Sequence, residues 1–209
     1  MPTYGTYAGE TIKGTYSKGA YSGKDYIYAY GGNDYITTYS GDDYINGGSG
    51  NDTGNGGHGK DYILGGKGND ILIGGYHSDT LVGGYHNDKL YGGHHSDIIS
   101  GGYGADTVVG SQYTGYDGYE FDKLSGGYHG DVFVLGNKYS SYYKGEGYAT
   151  IKDFKWSQGD KIQVYGSASN YSIQDLGNGD AVIKTKGQGD WIALVKGGAG
   201  ASLDYNHLY

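Results

Sequence analysis

Large aliphatic residues recur at a fixed interval of nine through the first half of the chain. In the ten units from Ala20 to Val109 these positions are Ile27, Ile36, Ile45, Gly54, Ile63, Leu72, Leu81, Leu90, Ile99 and Val108, and Gly54 is the one break. The last three residues of each unit alternate outward, inward and outward, as in a short β-strand. One inward side chain per strand cannot form a core alone, so we expect the units to stack.

The simplest closed coil contains two units, or 18 residues, with a strand and a turn on each side. Each inward aliphatic side chain then lies on its equivalent in the next coil, and the strands of successive coils pair in parallel. The pattern therefore predicts an all-β solenoid.

An aspartate stands two residues before every one of these aliphatic positions, and alternate aspartates fall on opposite edges of the coil. The first edge carries Asp25, Asp43, Asp61, Asp79 and Asp97, and the second edge carries Asp34, Asp52, Asp70, Asp88 and Asp106. Like carboxylates at the coil spacing of about 4.8 Å repel one another by ~1 kcal/mol or more per pair. Glycine-rich turns such as GGKGND (65–70) also direct backbone carbonyls to the same place.

A Ca²⁺ ion between successive turns would relieve this repulsion, because it takes six to eight oxygen ligands from carboxylates and carbonyls. Mg²⁺ fits less well, since it demands rigid octahedral geometry and retains its water. Five turns on an edge leave four gaps, so we expect up to about eight calcium ions in all. A glycine-aspartate turn repeat without metal is the alternative, and the charge argument weighs against it.

Composition excludes several other classes. The 209 residues include 45 Gly, 27 Tyr, one Pro and no Cys, so no disulfide or thiolate metal site can form. The net charge is −8 and all 15 basic residues are lysine, which argues against a nucleic-acid partner. No segment approaches the ~20 apolar residues of a membrane helix, so we expect no membrane insertion. The first residues, MPTYGTYAGE, lack the features of a cleavable signal peptide.

The regions beside the repeat divide the chain into three predicted parts. Residues 1–19 form a degenerate amino-terminal cap, in which GTYAGETIK (5–13) keeps the pattern with Glu10 in place of aspartate. Residues 20–134 form the roll, with a slip at 110–116, after which Asp122 and Asp131 are further candidate calcium ligands. Residues 135–209 form a β-rich cap, in which GNGD (177–180) and GQGD (187–190) are hairpin turns or, less favoured, calcium sites.

The units resemble the RTX (repeats-in-toxin) nonapeptide G-G-x-G-x-D-x-U-x, where U is a large aliphatic residue. The resemblance implies a right-handed parallel β-roll with calcium bound between its turns, disordered at low calcium and folded at millimolar calcium outside the cell. It also implies a secreted, extracellular or cell-surface bacterial protein. DVFVL (131–135) and IKDFKWSQGDKI (151–162) resemble the region that closes such rolls, and SLDYNHLY (202–209) would belong to a type I secretion signal.

No motif of a hydrolase, zinc protease, phosphate loop or EF-hand occurs, so we expect no enzyme activity. The histidines are a separate candidate site. In the 18-residue coil, His58, Tyr76 and His94 share one column, His77 and His95 share the next, and His86 lies on the opposite edge. These imidazoles are solvated turn residues or, as the alternative, ligands for Zn²⁺, Ni²⁺ or Cu²⁺.

Tyrosines bear on the purpose of the roll. Tyr26, Tyr44 and Tyr62 take equivalent outward positions on successive coils, so we expect an aromatic ladder flanked by Tyr28. The ladder either rigidifies the slab or offers a contact surface. Our first hypothesis is a structural protein that forms a homo-oligomer or homopolymer through tyrosine faces and two open solenoid ends. The alternatives are an adhesion or ice-binding module in contact with a surface or glycan, and transition-metal binding along the histidine edge.

Overall fold

Two β-sheets build the fold, which the computed structural model describes for residues 2–14, 23–111, 120–136, 142–143 and 147–197. The first sheet has, in spatial order, β1 (Thr3–Tyr4), β3 (Tyr26–Tyr28), β5 (Tyr44–Ser49), β7 (Tyr62–Lys67), β9 (Thr80–Tyr85), β11 (Ile98–Tyr103), β13 (Lys123–Tyr128), β15 (Ala149–Ile151), β19 (Trp191–Val195), β18 (Ala181–Thr185) and β17 (Tyr171–Asp175). The second sheet has β16 (Lys161–Gln163), β14 (Val132–Val134), β12 (Thr107–Ser111), β10 (Lys89–Gly93), β8 (Ile71–Tyr76), β6 (Thr53–His58), β4 (Tyr35–Thr37) and β2 (Thr11–Lys13).

Successive strands of each sheet in the repeat region pair in parallel, two units apart along the chain. Ile45 lies opposite Ile63, and Ile63 lies opposite Leu81. Hydrogen bonds between coils accordingly join residues 18 positions apart. The predicted coil of two units is confirmed, and the repeat region is a parallel β-roll.

The core is the column of inward aliphatic residues. The predicted side chains from Ile27 to Val108 are at most 1% exposed, and the series continues through Leu124 and Phe133 at 0%. Full burial of one such side chain contributes about 1.5–3 kcal/mol relative to exposure. Gly54 sits in the same column, opposite Ile36 on one side and Leu72 on the other.

Most strands of the roll are longer than the three residues that the pattern predicts. Several have six residues, because the second glycine after the triad and the residue that follows it also pair with the next coil, as Gly48 does with Gly66 and Ser49 with Lys67. The second glycine then takes a positive φ, 112° at Gly66. The backbone turns at this residue without leaving the sheet, a conformation that glycine adopts freely.

The fourth position of the unit also takes a positive φ. Gly68 has a φ of 128° there. Where histidine replaces this glycine, it is held in the same region, with φ between 73° and 79° at His77, His86, His95 and His129. These histidines therefore occupy backbone positions that are unfavourable for a residue with a Cβ.

The seven-residue slip does not disturb the columns. Ile98 pairs with Lys123 across it, and Thr107 pairs with Val132. Asp122 and Asp131 therefore stay in register with the first and second edges. Residues 112–119, which include most of the slip, lie outside the described residues, as do residues 15–22 between β2 and β3.

The two ends of the roll differ. At the amino-terminal end the sheets stop at β1 and β2. At the other end β15 and β16 continue the parallel stacking, and β19, β18 and β17 then extend the first sheet. GNGD (177–180) and GQGD (187–190) join antiparallel strands here, so the hairpin interpretation is confirmed.

The predicted secretion segment SLDYNHLY (202–209) lies outside the described residues. In the described part of the chain, no helix has the length and apolar character needed to span a bilayer.

Candidate metal centre

Each aspartate of the repeat is tied to the neighbouring coil through one carboxylate oxygen. On the second edge, the Asp34 N–H donates to Asp52 Oδ1 at 2.8 Å, and the Asp52 N–H donates to Asp70 Oδ1 at 2.7 Å. The same bond joins every pair of successive coils along both edges. The series begins at Asp25 and ends at Asp122 on the first edge, and it begins at Glu10 and ends at Asp160 on the second. These bonds fix the position of every carboxylate.

The second carboxylate oxygen of most of these aspartates is buried without a hydrogen-bond partner. Within the described residues, such an Oδ2 atom occurs at Asp34, Asp43, Asp52, Asp61, Asp70, Asp79, Asp88, Asp97, Asp106 and Asp131. A buried charged oxygen with no partner is strongly unfavourable, and a regular row of them indicates a missing positive ligand.

From Asp52 onward, each orphaned oxygen faces a small space beside the first glycine of its unit, whereas the units of Asp34 and Asp43 begin with Ala29 and Thr38. A Cβ built on Gly65 would lie closer than 3.0 Å to both Asp70 Oδ2 and the carbonyl oxygen of Gly83 in the next coil. We call this space a cradle. The same pair of oxygens, one carboxylate and one carbonyl of the following coil, flanks the cradles beside Gly47, Gly74, Gly83, Gly92 and Gly101.

This donor set fits a hard cation. It consists entirely of oxygen atoms, from one carboxylate and at least one backbone carbonyl on adjacent coils, which is what Ca²⁺ prefers. Within the described ranges, no three Asp, Glu or His side chains are grouped closely enough to hold a metal by themselves. The remaining ligands of an ion in a cradle would therefore be backbone carbonyls and water.

Burial raises the pKa of these carboxyls far above its ordinary value of 3.8. The pKa rises to about 6 at Asp52, to about 7 at Asp61 and to about 8 at Asp79, with desolvation as the main cause. The carboxyl of Asp97 reaches about 10, because Asp122 beside it adds repulsion to the desolvation. Without a cation, the most strongly shifted carboxyls, at Asp79, Asp88 and Asp97, thus hold protons at neutral pH, whereas Asp52 and Asp70, at about 6, remain mostly charged.

The structure brings the twelve predicted ligands into the two edges but does not make them equivalent. Ten have the orphaned Oδ2 described above. Asp25 opens the first edge, is only partly buried, and donates its N–H to Asp43 Oδ1 at 2.7 Å. Asp122 differs from the rest, because its Oδ2 accepts a hydrogen bond from the Tyr143 hydroxyl.

Two features of the edges were missed by sequence reasoning. Asp160 extends the second edge by one more coil, and its place two residues before the buried Ile162 was the available signal. A row of asparagines also runs along the second edge, each Oδ1 accepting the backbone N–H of the next coil, at Asn33, Asn51, Asn69 and Asn87. This row adds neutral links between coils outside the cradles.

The predicted histidine columns exist. His58 and His94 stack on the two faces of Tyr76 with ring centroids 4.4 Å apart, and His77 stacks on His95 at 5.3 Å. No third protein ligand joins either column within metal-binding reach among the described residues.

Two tyrosine ladders lie on the surface. Tyr26, Tyr44 and Tyr62 stack as predicted, with centroids 6.3 and 5.8 Å apart, and Tyr28 contacts Tyr44 at 5.4 Å. Sequence reasoning missed the second ladder, Tyr85, Tyr103 and Tyr128, which is spaced at 5.3 and 4.6 Å and lies along the second edge.

The outward row of the second sheet is chemically mixed. It contains Thr53, Ile71, Lys89 and Thr107 on successive coils, in the register that the sequence predicts. Such a row lacks the uniform spacing of like groups that ice binding would favour.

The repeat region has a recognised counterpart among protein families. Residues 20–54, 55–72 and 73–108 match the family model described as the RTX calcium-binding nonapeptide repeat (4 copies). These residues are RTX repeats, and such repeats bind several Ca²⁺ ions. The chain is therefore a calcium-binding repeat protein with a β-roll. The matched model is a calcium-binding repeat and not a catalytic domain.

Comparison with solved structures finds similarity to the extracellular lipase LipA from Serratia marcescens. The identity is 15% and the TM-score is 0.32, and the match covers 83% of this chain and 42% of the lipase chain. The chain thus spans less than half the length of that lipase. No curated protein matches the chain.

Proposed function

We propose that calcium ions occupy the cradles of both edges and hold successive coils together. The orphaned Oδ2 atoms are the observation that supports this ligand assignment, because they are buried, evenly repeated and, at six of the ten aspartates, paired with a carbonyl of the next coil. A divalent ion in each cradle removes the desolvation cost of the carboxylate and joins two coils. Calcium binding and folding of the roll are then one equilibrium.

We further propose that the calcium-loaded roll is a structural protein that assembles with copies of itself. The observation that carries this proposal is the pair of ordered tyrosine ladders on the surface of the roll. Tyr85, Tyr103 and Tyr128 are 53%, 47% and 53% exposed although they stack closely. Rigid aromatic rows with exposed faces are typical of protein contact surfaces.

The amino-terminal end supports the same proposal. Among the described residues, the sheets stop there at the short strands β1 and β2, so backbone groups at this edge can pair with another chain. Tyr4 and Tyr7 stand beside this edge at 59% and 85% exposure, and both stack on Tyr30. The other end is extended by a hairpin, so a contact between unlike ends would be heterologous and could continue into a filament or sheet.

The working environment follows from the calcium requirement. Proteins with RTX repeats are typically secreted by bacteria. Extracellular calcium modules commonly bind in the range of about 10⁻⁴ to 10⁻³ M, far above cytosolic calcium. We propose that this chain is exported, folds on meeting calcium outside the cell, and assembles there or on the cell surface.

Negative-stain electron microscopy beside circular dichroism tests both steps. Without calcium at neutral pH we expect no roll and no assemblies. Millimolar calcium should restore the β signature and give filaments or sheets that grow with protein concentration.

Tyr103→Ser, which removes the middle tyrosine of its ladder, should keep the β signature and reduce assembly. Tyr165→Ser, an exposed tyrosine in the cap, is the matched control. Calcium-loaded protein that stays monomeric at every concentration would overturn self-assembly and leave calcium binding intact.

A further inference from the structure

Asp122 is the exception among the buried repeat aspartates of the roll. The ten aspartates with an orphaned Oδ2 include its neighbours Asp97 on the same edge and Asp131 on the opposite one. Oδ1 of Asp122 accepts the Asp97 N–H at 2.7 Å, as the pattern requires. Its Oδ2, however, accepts a hydrogen bond from the hydroxyl of Tyr143.

The Tyr143 hydroxyl stands in the cradle itself. A Cβ built on Gly110 would lie closer than 3.0 Å to both the Tyr143 hydroxyl oxygen and Asp122 Oδ2. One coil earlier, the same point beside Gly92 is flanked by Asp97 Oδ2 and the carbonyl oxygen of Gly110. The tyrosine oxygen thus replaces the carbonyl of a following coil. A carbonyl can only accept, whereas the hydroxyl brings a proton and donates it to the carboxylate.

The chain beyond Asp122 explains why this cradle differs. The next strand of the first sheet, β15, pairs Thr150 with Lys123, so the aspartate position of that coil is Ala149. Among the described residues, no carboxylate takes the next position on this edge. Tyr143 enters instead, only 2% exposed, and burial together with the Asp122 charge raises its pKa well above the ordinary value. The hydroxyl therefore keeps its proton for the hydrogen bond.

The second edge ends in a comparable way. Asp160 is its last carboxylate, and Oδ1 accepts the Asp131 N–H at 3.0 Å. Oδ2 of Asp160 accepts the Lys155 N–H at 2.7 Å. At the carboxyl-terminal end of the roll, both edges therefore stop at a carboxylate whose two oxygens are satisfied by the protein.

We propose that the Tyr143 hydroxyl closes the Asp122 cradle in place of a calcium ion, so that Asp97 is the last calcium-binding aspartate of the first edge. This inference depends on the calcium ligands proposed above and is independent of self-assembly. Asp122, which sequence analysis groups with the calcium ligands, then acts as a metal-free link between the roll and the cap.

Ion counting on the full calcium-loaded chain tests the inference, by native mass spectrometry or by metal analysis after equilibrium dialysis. Asp122→Asn should bind as many calcium ions as the wild type, because the asparagine keeps a carbonyl oxygen and the site holds no ion. Asp97→Asn, the same change one coil earlier, should bind at least one ion fewer. Loss of an ion from Asp122→Asn would overturn the inference. An unchanged count in Asp97→Asn would overturn the ligand assignment on which it depends.

Tyr143→Phe supplies the second measurement. It should keep the wild-type ion count and lower the melting midpoint by roughly 3–10 °C at saturating calcium, since Asp122 Oδ2 loses its donor and no ion replaces it. Tyr171→Phe removes another buried tyrosine hydroxyl, which bonds to the Tyr165 carbonyl in the cap, and is the packing control. A lost ion in Tyr143→Phe would mean that the hydroxyl is a calcium ligand. An unchanged midpoint at saturating calcium would mean that an ion holds Asp122. Either result would overturn the inference.

Discussion

At the scale of single residues, glycine and aspartate have different roles in the calcium edges. The aspartate supplies one oxygen to the backbone of the neighbouring coil and leaves the other directed into the cradle. The first glycine of the unit keeps that cradle open, because any side chain there would meet the carboxylate and a backbone carbonyl. Glycine is needed at this position for space and not for its backbone freedom, since Gly74 is not among the residues with a positive φ.

Gly74→Ala should therefore impair calcium binding without straining the backbone dihedrals. The new methyl group would lie 2.6 Å from the Gly92 carbonyl oxygen, which belongs to the sheet and cannot move aside. We expect a higher calcium concentration for folding, followed by circular dichroism, and a loss of about 1–3 kcal/mol from overpacking.

Gly54→Ala is the matched control for that change. Its methyl group points into the core and meets only side-chain carbons, the nearest being Ile63 Cγ2 at 3.1 Å. We expect its calcium midpoint to stay close to that of the wild type. Equal calcium midpoints for Gly74→Ala and Gly54→Ala would contradict the cradle as the ion site.

At the scale of the structural element, the unit is a strand followed by a left-handed turn. The strand buries one aliphatic side chain, and the turn reverses the chain within a few residues. Most units place glycine at the fourth position of this turn. Four described units place histidine there, with φ near 75°. The left-handed region costs an L-residue roughly 1–2 kcal/mol, so these turns are held by the coils on either side.

His129→Gly should stabilise the calcium-loaded roll by up to about 1 kcal/mol, since glycine relieves the positive φ of 79° but adds freedom to the unfolded chain. His58→Gly should have the opposite sign, because His58 is a strand residue that stacks on Tyr76 at 4.4 Å. Thermal unfolding at saturating calcium measures both. A decrease in both midpoints would show that, at position 129, the contacts of the histidine ring contribute more to stability than relief of the positive φ does.

At the scale of the whole molecule, the roll brings carboxylates together in rows, and their charge must be neutralised before the coils can stack. Protons and calcium ions both satisfy this requirement. The raised pKa values, about 8 at Asp79 and at Asp88 and about 7 at Asp131, mean that the folded chain without calcium binds more protons than the unfolded chain. Its stability must then fall as the pH rises.

Calcium-free protein should consequently regain β structure in acid. The stabilisation by bound protons is fully present below about pH 4, the unfolded pKa, and is lost as the pH rises through the folded values, from about 6 at Asp52 to about 10 at Asp97. Circular dichroism of dialysed protein should show more β structure at pH 4.5 than at pH 8. Calcium-loaded protein should behave oppositely, because acid displaces the ion from its carboxylates. An equally unfolded calcium-free chain at both pH values would contradict the proposed role of the buried aspartates.

The sequence by itself determined the period, the 18-residue coil, the inward column and the two rows of aspartates. These follow from local rules, because a strand alternates its faces with period two and a strict nine-residue repeat brings every equivalent residue to the same place in its coil. The left-handed turn at His77 and the ladder through Tyr44 were predictable for the same reason.

Only the tertiary structure decided where the pattern ends. Tyr143 reaches Asp122 and Lys155 reaches Asp160 through segments that share no period with the repeat, so no spacing in the sequence encodes those contacts. The six-residue strands likewise depend on glycines whose pairing partners lie a full coil away. Periodicity specifies the interior of a stack, whereas its boundaries are specified by the particular chain that closes them.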